Sequence, residues 1–247
     1  MLLLILDDFH TNVPEKYRNG FPWHPHRGIE TITYVLNGQV EHGDNMGNRG
    51  VIGPGDAQWM TAGSGIVHQE MPNGDENKML WGFQLWANLP AKNKMMTPRY
   101  QEISRKQIPL VNHESGAEIK IICGTVDGVT GPVQDIIIDP EYLDISLTAN
   151  TEFTRTFKPD YTVMAYIISG SGLFGNVDSE PVFNEQLVLY DAGDEIRILT
   201  PKEAIRFLLI SGKPLNEPVA WGGPIVMNTD DQLQQAYEEY RTGTFIK

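Results

Sequence analysis

The sequence predicts an all-β protein with two β-barrels and one short C-terminal helix. Runs rich in Val, Ile, Thr and aromatic residues recur along the chain, and Gly, Asn, Asp and Pro residues bound them. Turn signals return about every 8–12 residues, a spacing typical of β-sandwiches and barrels. Part of this pattern occurs twice in the same order, which indicates an internal duplication.

The predicted strands share short length and a β-branched or aromatic composition. They cover residues 30–36, 82–86, 118–122, 142–147, 162–168, 186–190, 195–199 and 204–210. The apolar run at residues 1–6 is too short for a signal peptide or a membrane span, so we expect a buried strand there. No later stretch is long enough to cross a bilayer, and no membrane partner is expected.

One helix is predicted, at residues 230–242. Thr229 or Asn228 can cap its first turn, where two aspartates favour the positive end of the helix, and Gly243 can end it. Apolar side chains recur at helical spacing and predict a face that packs on a barrel: Leu233, Ala236, Tyr237 and Tyr240.

The duplication predicts that the chain is divided into two domains. Residues 34–38 (YVLNG) resemble residues 166–170 (YIISG), and residues 54–56 (PGD) resemble residues 192–194 (AGD). The repeat implies two barrels with a boundary near residues 98–109. We therefore expect the following domains: a first barrel at residues 1–100, and a second at residues 101–247 that carries the terminal helix.

The charge and the single cysteine limit the partners and the compartment. The net charge is −13; residues 1–100 carry 8 basic and 10 acidic side chains, and the remainder carries 11 and 22. An acidic protein repels phosphate backbones, so direct nucleic-acid binding is disfavoured, whereas a protein partner with a basic surface fits. Cys123 cannot form an intrachain disulfide, which favours a reducing cytoplasm.

Two pairs of metal-ligating residues stand out in the first half of the chain. His24 and His26 precede a predicted strand, and His68 and Glu70 follow a Gly-rich loop. Residues i and i+2 of an extended chain point to one face, so each pair can present two ligands to a common point. Three imidazoles and one carboxylate suit a first-row divalent ion, with Fe(II), Mn(II), Ni(II), Cu(II) and Zn(II) all chemically possible.

The pattern leaves the carboxylate ligand open. Glu30 lies four residues after His26 and is a rival to Glu70. The other histidines lack period-2 partners, and we expect them on the surface or in loops: His10, His42 and His113.

Several segments resemble the pirin family, which belongs to the cupin superfamily. The longest is residues 58–72 (QWMTAGSGIVHQEMP), preceded by residues 24–31 (HPHRGIET) and 54–56 (PGD). Residues 84–90 (QLWANLP) and 224–229 (PIVMNT) continue the likeness, which therefore runs over nearly the whole chain.

The resemblance implies a bicupin with one metal, iron, in the N-terminal barrel. The family's ligands map onto His24, His26, His68 and Glu70, so that Glu70 displaces Glu30 as the carboxylate. Several pirins cleave flavonols such as quercetin with O2, and others act as redox-responsive regulators through protein partners. We expect an iron-dependent quercetin 2,3-dioxygenase-like enzyme, with the non-enzymatic regulator as the alternative.

In the enzymatic hypothesis, an aromatic substrate ligates the metal through a hydroxyl group, whose pKa the metal lowers. Glu70 then accepts the hydroxyl proton as the catalytic base, and the substrate reacts with O2. The residues expected to flank the substrate are mostly aromatic: Phe21, Trp23, Trp59, Met60, Phe83, Gln84 and Trp86.

The second barrel is expected to hold no metal. The repeat offsets place the counterparts of the ligands near residues that cannot bind a divalent ion as a set: Thr156, Lys158, Arg206 and Leu208. Pirins usually carry further strands before the segment that corresponds to residues 2–9. We therefore expect the first barrel to lack the family's first strands and to have an open edge.

Overall fold

The structure, a computed structural model, describes residues 3–137 and 140–247. Strands predominate, which confirms the all-β prediction. The chain forms two compact units: Met1–Arg105 with Leu215–Lys247, and Lys106–Pro214. No helix within the described ranges is long and apolar enough to cross a membrane.

The first unit is a barrel of two facing antiparallel sheets. Its helical segments are α1 (Pro14–Tyr17) and a short 3-10 turn at Ala91–Asn93. Its strands are β1 (Leu3–Thr11), β2 (Phe21–His26), β3 (Ile29–Asn37), β4 (Gln39–Asp44), β5 (Arg49–Ile52), β6 (Ala57–Thr61), β7 (Ile66–Asn73), β8 (Leu80–Asn88) and β9 (Arg99–Ile103).

The strand order explains which side chains share the barrel interior. One sheet has the order β1-β8-β3-β6-β9 and the other β2-β7-β4-β5. Glu70 on β7 is hydrogen-bonded to Gln84 on β8, so these faces of the two sheets meet inside the barrel. β1 lies at the edge of its sheet and is half-buried rather than buried, because only one of its sides is paired with a strand. Met1 and Leu2, which belong to the predicted first strand, lie outside the described residues.

The second unit is also built from antiparallel strands. They are β10 (Leu110–Asn112), β11 (Glu118–Cys123), β12 (Thr125–Val126), β13 (Val129–Thr130), β14 (Glu141–Leu147), β15 (Glu152–Thr156), β16 (Thr162–Phe174), β17 (Pro181–Phe183), β18 (Leu187–Leu189), β19 (Glu195–Leu199) and β20 (Ile205–Gly212).

The core of the second unit is apolar. Its buried members include Ile145, Ile167 and Phe207, from the three adjacent strands β14, β16 and β20. Four positions in this unit were expected to correspond to the metal ligands of the first barrel. Thr156 and Lys158 are exposed, Arg206 pairs with Asp144, and Leu208 is buried.

The repeat is visible in the backbone. Gly38 follows β3 with φ +74°, and Gly170 lies in β16 with φ +78°. A Cβ atom at Gly38 would lie 2.6 Å from the carbonyl oxygen of Asn73, and one at Gly170 would lie 2.0 Å from that of Ala204. Glycine is therefore needed at both equivalent turns.

The C-terminal segment packs on the first unit, and this changes the expected division at residues 1–100 and 101–247. It contains β21 (Ala220–Gly222), β22 (Ile225–Met227) and α2 (Asp230–Thr242). The helix has the predicted bounds, because Thr229 and Gln232 form a capping box and Gly243 ends it in a left-handed conformation. Val226 packs with Ile29, Met60 and Ile66 of the barrel, an association between distant segments that the repeat pattern alone cannot reveal.

A buried arginine ties α2 to the barrel. The Arg27 side chain is 2% exposed and donates three hydrogen bonds of 2.7 Å: to Ser64 O, to the Glu239 carboxylate and to Phe245 O. Hydrogen bonds from Lys247 and Arg27 lower the pKa of Glu239 from its usual 4.5 to about 2. The ion pair therefore stabilises the fold above about pH 4.5, and this contribution is lost as the pH falls toward 2.

Glu239→Gln is expected to lower the free energy of unfolding by about 3 kcal/mol at pH 7, because it leaves a buried guanidinium without its counter-charge. Denaturant unfolding followed by circular dichroism measures the change. Glu238→Gln is the matched control on the same helix, since Glu238 pairs with the exposed Arg241 and such pairs contribute less than about 1 kcal/mol. Equal losses in the two variants would contradict the anchoring role of Glu239.

Candidate metal centre

Three histidines converge inside the first barrel. His24 and His26 lie on β2, His68 lies on the adjacent antiparallel β7, and His24 is directly opposite His68 in the register. Period-2 spacing turns His24 and His26 to one face of the sheet. One nitrogen from each of the three rings lies within 4.8 Å of the others.

The separations between these nitrogens fit one octahedral ion. His24 Nε2 is 3.0 Å from His26 Nε2 and 2.9 Å from His68 Nε2. Two nitrogens that bind one first-row ion at about 2.1 Å and at right angles lie about 3.0 Å apart. The His24 nitrogen is therefore spaced from each of the other two as two neighbouring ligands of such an ion would be.

Backbone carbonyls set the tautomers of two rings. His24 Nδ1 is 2.7 Å from Pro22 O, and His26 Nδ1 is 3.2 Å from Pro224 O. A carbonyl oxygen only accepts, so each Nδ1 carries the proton and donates it, which leaves the Nε2 lone pair free for a metal. His68 Nδ1 is buried and has no hydrogen-bond partner among the described residues.

Burial also keeps the imidazoles of His26 and His68 neutral. The pKa of His26 is lowered from 6.5 to about 3, mainly by loss of solvation and to a smaller extent by the neighbouring His24. The pKa of His68 is lowered to about 2, mainly by loss of solvation and to a smaller extent by the neighbouring histidines. Both rings therefore keep an unprotonated nitrogen at neutral pH, the form that binds metals.

Glu70 is buried on the wall of the same cavity but lies outside the group of three close nitrogens. Gln84 Nε2 donates to both carboxylate oxygens at 3.1 Å, and Thr33 Oγ1 donates to one at 3.4 Å. Trp86 Nε1 donates to Gln84 Oε1 at 2.9 Å and so fixes which way the amide points. Burial raises the pKa of Glu70.

Glu30, the rival carboxylate, lies on the other face of β3. Thr33 bonds to Glu70 inside the barrel. Glu30 lies three positions before Thr33 on the same strand, so its side chain points to the opposite face. Its carboxylate accepts a hydrogen bond of 2.6 Å from Thr61, and burial raises its pKa.

His42 corrects one expectation from the sequence. It is 6% exposed, because β4 pairs with β7 and places His42 directly opposite Glu70. Its ring stacks on Tyr100, and its Nε2 atom lies 3.1 Å from Glu102 Oε1. His10 is exposed and stacks on Trp81, and His113 is half-buried beside Ser115.

A cavity of about 690 Å³ is lined by His24 and His26 of this group. Three of the expected flanking residues line it: Phe21, Gln84 and Trp86. The C-terminal segment adds Trp221 and Pro224, which were not expected at the site because they lie far from the histidines in the sequence. Residues 224–229 resembled the pirin family, and this was the only signal in the sequence that the segment belongs here.

The other expected flanking residues lie elsewhere. Trp59 and Phe83 point to the opposite face of their sheet from Gln84, because they pair in register with Ile32 and Tyr34 rather than with Thr33. Met60 shares the inner face but is buried in a core cluster with Ile29 and Ile66. Trp23 is 53% exposed and is not part of the cavity wall.

A second, smaller cavity of about 300 Å³ adjoins the first. The two share Phe9, Phe21, Glu70 and Gln84 as lining residues, so Glu70 is reached from both. Lys16 and Tyr17 of α1 line only the smaller one.

The two barrels and the histidine-lined cavity define a cupin-type protein. The chain belongs to the pirin family: the family described as Pirin matches residues 3–87, and the Pirin C-terminal cupin domain matches residues 142–246. The resemblance seen in the sequence is thereby confirmed.

Relatives and solved structures agree with this assignment. The chain is 44% identical to a Thermoplasma acidophilum protein with the provisional name quercetin 2,3-dioxygenase, over 94% of each chain. It is 42% identical to a pirin-like protein of Caulobacter vibrioides, over 98% of this chain and 86% of the relative. A crystal structure titled quercetin 2,3-dioxygenase, from Acinetobacter baumannii, superposes with a TM-score of 0.88 at 31% identity, over 98% and 85% of the two chains.

Proposed function

We propose that this protein is an iron-dependent dioxygenase that opens a ring of a flavonol such as quercetin with O2. The observation that carries the proposal is the convergence of three imidazole Nε2 atoms beside a cavity with aromatic walls, which His24 and His26 line. Two similar proteins named as quercetin 2,3-dioxygenases support the choice of substrate class.

We propose His24, His26, His68 and Glu70 as the ligands of one metal ion per chain. A bound Fe(II) would lower the pKa of a substrate hydroxyl and provide the redox chemistry that O2 requires. Mn(II), Ni(II), Cu(II) and Zn(II) also suit this set of donors.

The chain's own residues would bind the substrate and move its proton. The cavity volume lies within the range of small-molecule sites, and Phe21 and Trp86 supply apolar walls that exclude water. Glu70 would accept the proton of the substrate hydroxyl, and its raised pKa makes it a stronger base than an exposed carboxylate. Gln84 would hold the carboxyl group in place, because its amide contacts both oxygens.

Metal-loaded protein is expected to consume O2 and to bleach quercetin under aerobic conditions. The test records oxygen uptake with an electrode and the loss of the flavonol absorbance in the same sample. His68→Ala is the negative variant, because it removes one of the three converging nitrogens. If no flavonol is turned over while binding of a basic protein partner follows the redox state of the iron, the protein is a regulator instead.

A further inference from the structure

The hairpin of β21 and β22 is part of the wall beside the histidines. Ile225 forms a parallel bridge with Arg27, and Val226 N donates to Arg27 O at 3.0 Å. The loop between the two strands places Pro224 O against His26 Nδ1. The hairpin is therefore held beside His26 by backbone contacts, and Trp221 on β21 lines the same cavity.

The Trp221 ring is held in place although it is 41% exposed. Its Nε1 atom donates to Gly223 O at 2.9 Å. Tyr237 on α2 donates from its hydroxyl group to Gly222 O at 2.6 Å, which fixes the backbone beside the ring. A large, fixed and exposed ring presents a stacking surface without further loss of conformational freedom on binding.

The cavity has an aromatic rim and a polar interior. Phe21, which is 50% exposed, lines the same cavity as Trp221. Deeper in, His24 and Gln84 provide polar atoms. This arrangement fits a planar aromatic molecule whose hydroxyl-bearing edge points inward and whose ring face meets the rim.

We propose that Trp221 is a substrate-binding residue, which stacks on the planar ring system of the flavonol; the proposal rests on the function proposed above. It assigns to the C-terminal segment, more than 150 residues after the histidines in the chain, a direct role in substrate selection. Trp221 would set the affinity for planar rings, whereas the histidines and Glu70 would set the chemistry.

Trp221→Ala in the metal-loaded, full-length protein is expected to raise the Kd for quercetin about tenfold, because tenfold corresponds to about 1.4 kcal/mol, a plausible value for one stacked ring. Trp221→Phe should restore most of the affinity. Titration of the protein into quercetin, followed by the flavonol absorbance, measures binding separately from turnover when O2 is excluded. Metal content is measured on each variant and should equal that of the parent.

The shape of the ligand provides a readout that a general loss of structure would not reproduce. Dihydroquercetin has a puckered central ring, so it stacks poorly on a flat aromatic side chain. The parent should therefore bind quercetin more tightly than dihydroquercetin, and the ratio of the two Kd values should fall about tenfold in Trp221→Ala. Phe183→Ala is the control, since Phe183 is an aromatic residue with an exposure of 50%, against 41% for Trp221, but lies on β17 in the second unit.

The outcomes separate this proposal from the dioxygenase itself. If the parent turns over quercetin while Trp221→Ala binds it as tightly as the parent does, the role of Trp221 is wrong and the function stands. If the parent binds quercetin without consuming O2, and Trp221→Ala binds it about tenfold more weakly, the role of Trp221 stands and the function is wrong. A parent that binds no quercetin overturns both.

Discussion

Replacement of His24, His26 or His68 by alanine is expected to abolish tight metal binding. Each substitution removes one nitrogen from the group, in which the distances of 2.9 and 3.0 Å from His24 Nε2 to the other two Nε2 atoms fit a single ion. Loss of a residue that only orients a ligand typically lowers metal affinity 10–100-fold, so loss of a ligand should lower it by more than about 100-fold. The parent should bind one ion per chain, which elemental analysis after anaerobic Fe(II) loading measures.

Thermal unfolding gives an independent measurement. A metal that binds only the folded chain raises its stability, so Fe(II) should raise the Tm of the parent and leave that of the alanine variants unchanged. His68→Gln is a second variant that fills more of the space left by the buried ring. His10→Ala and His113→Ala are the controls, because neither ring belongs to the converging group. Loss of metal in either control would show that the ligands are misassigned.

Glu70→Gln is expected to lower flavonol turnover by about 10²–10⁴-fold, the usual contribution of a general base. The amide keeps the size of the side chain and one acceptor oxygen for Gln84, but it loses charge and basicity. We therefore expect the variant to retain Fe(II) with lower affinity. Turnover is measured by oxygen uptake, and affinity by competition with a chelator.

The reduction potential of the iron should also rise in Glu70→Gln. Three neutral imidazoles and one carboxylate leave a divalent centre at a net charge of about +1 and a trivalent one at about +2. Removal of the carboxylate adds one positive charge to both states, and this penalises the oxidised state more. Redox titration of the iron-loaded variant measures the shift.

Glu30→Gln is the matched control for Glu70→Gln. Both carboxylates are buried and burial raises the pKa of both, yet Glu30 lies on the other face of β3, where Thr61 bonds to it. It should resemble the parent in metal content, potential and turnover. If Glu30→Gln loses the metal while Glu70→Gln does not, Glu30 is the ligand that the pattern left open.

Features that depend on local chemistry could be predicted from the sequence. The bounds of α2 follow from Thr229, Gln232 and Gly243, which cap the helix at its two ends. The pairs His24–His26 and His68–Glu70 are readable because a strand turns every second residue to one face. Buried strands such as β3 and β8 were found within one or two residues because their composition is strongly β-forming.

Features that depend on strand pairing could not be predicted. His42 is buried because β4 lies beside β7, and Glu30, Trp59 and Phe83 point away from the cavity because of the register between β3, β6 and β8. A shift of one residue in that register would reverse every side chain, and the register between strands far apart in the chain cannot be read from local sequence patterns.

The sequence by itself determined the all-β class, the repeat, the terminal helix and the two pairs of candidate metal ligands. Only the tertiary structure decided that the C-terminal segment completes the first unit, with Pro224 against His26 and Trp221 on the cavity wall. The physical reason is the separation along the chain over which each kind of interaction acts. Helix caps and strand alternation act over a few neighbouring residues, whereas a contact across almost 200 positions depends on how separate elements pack, for which no local pattern exists.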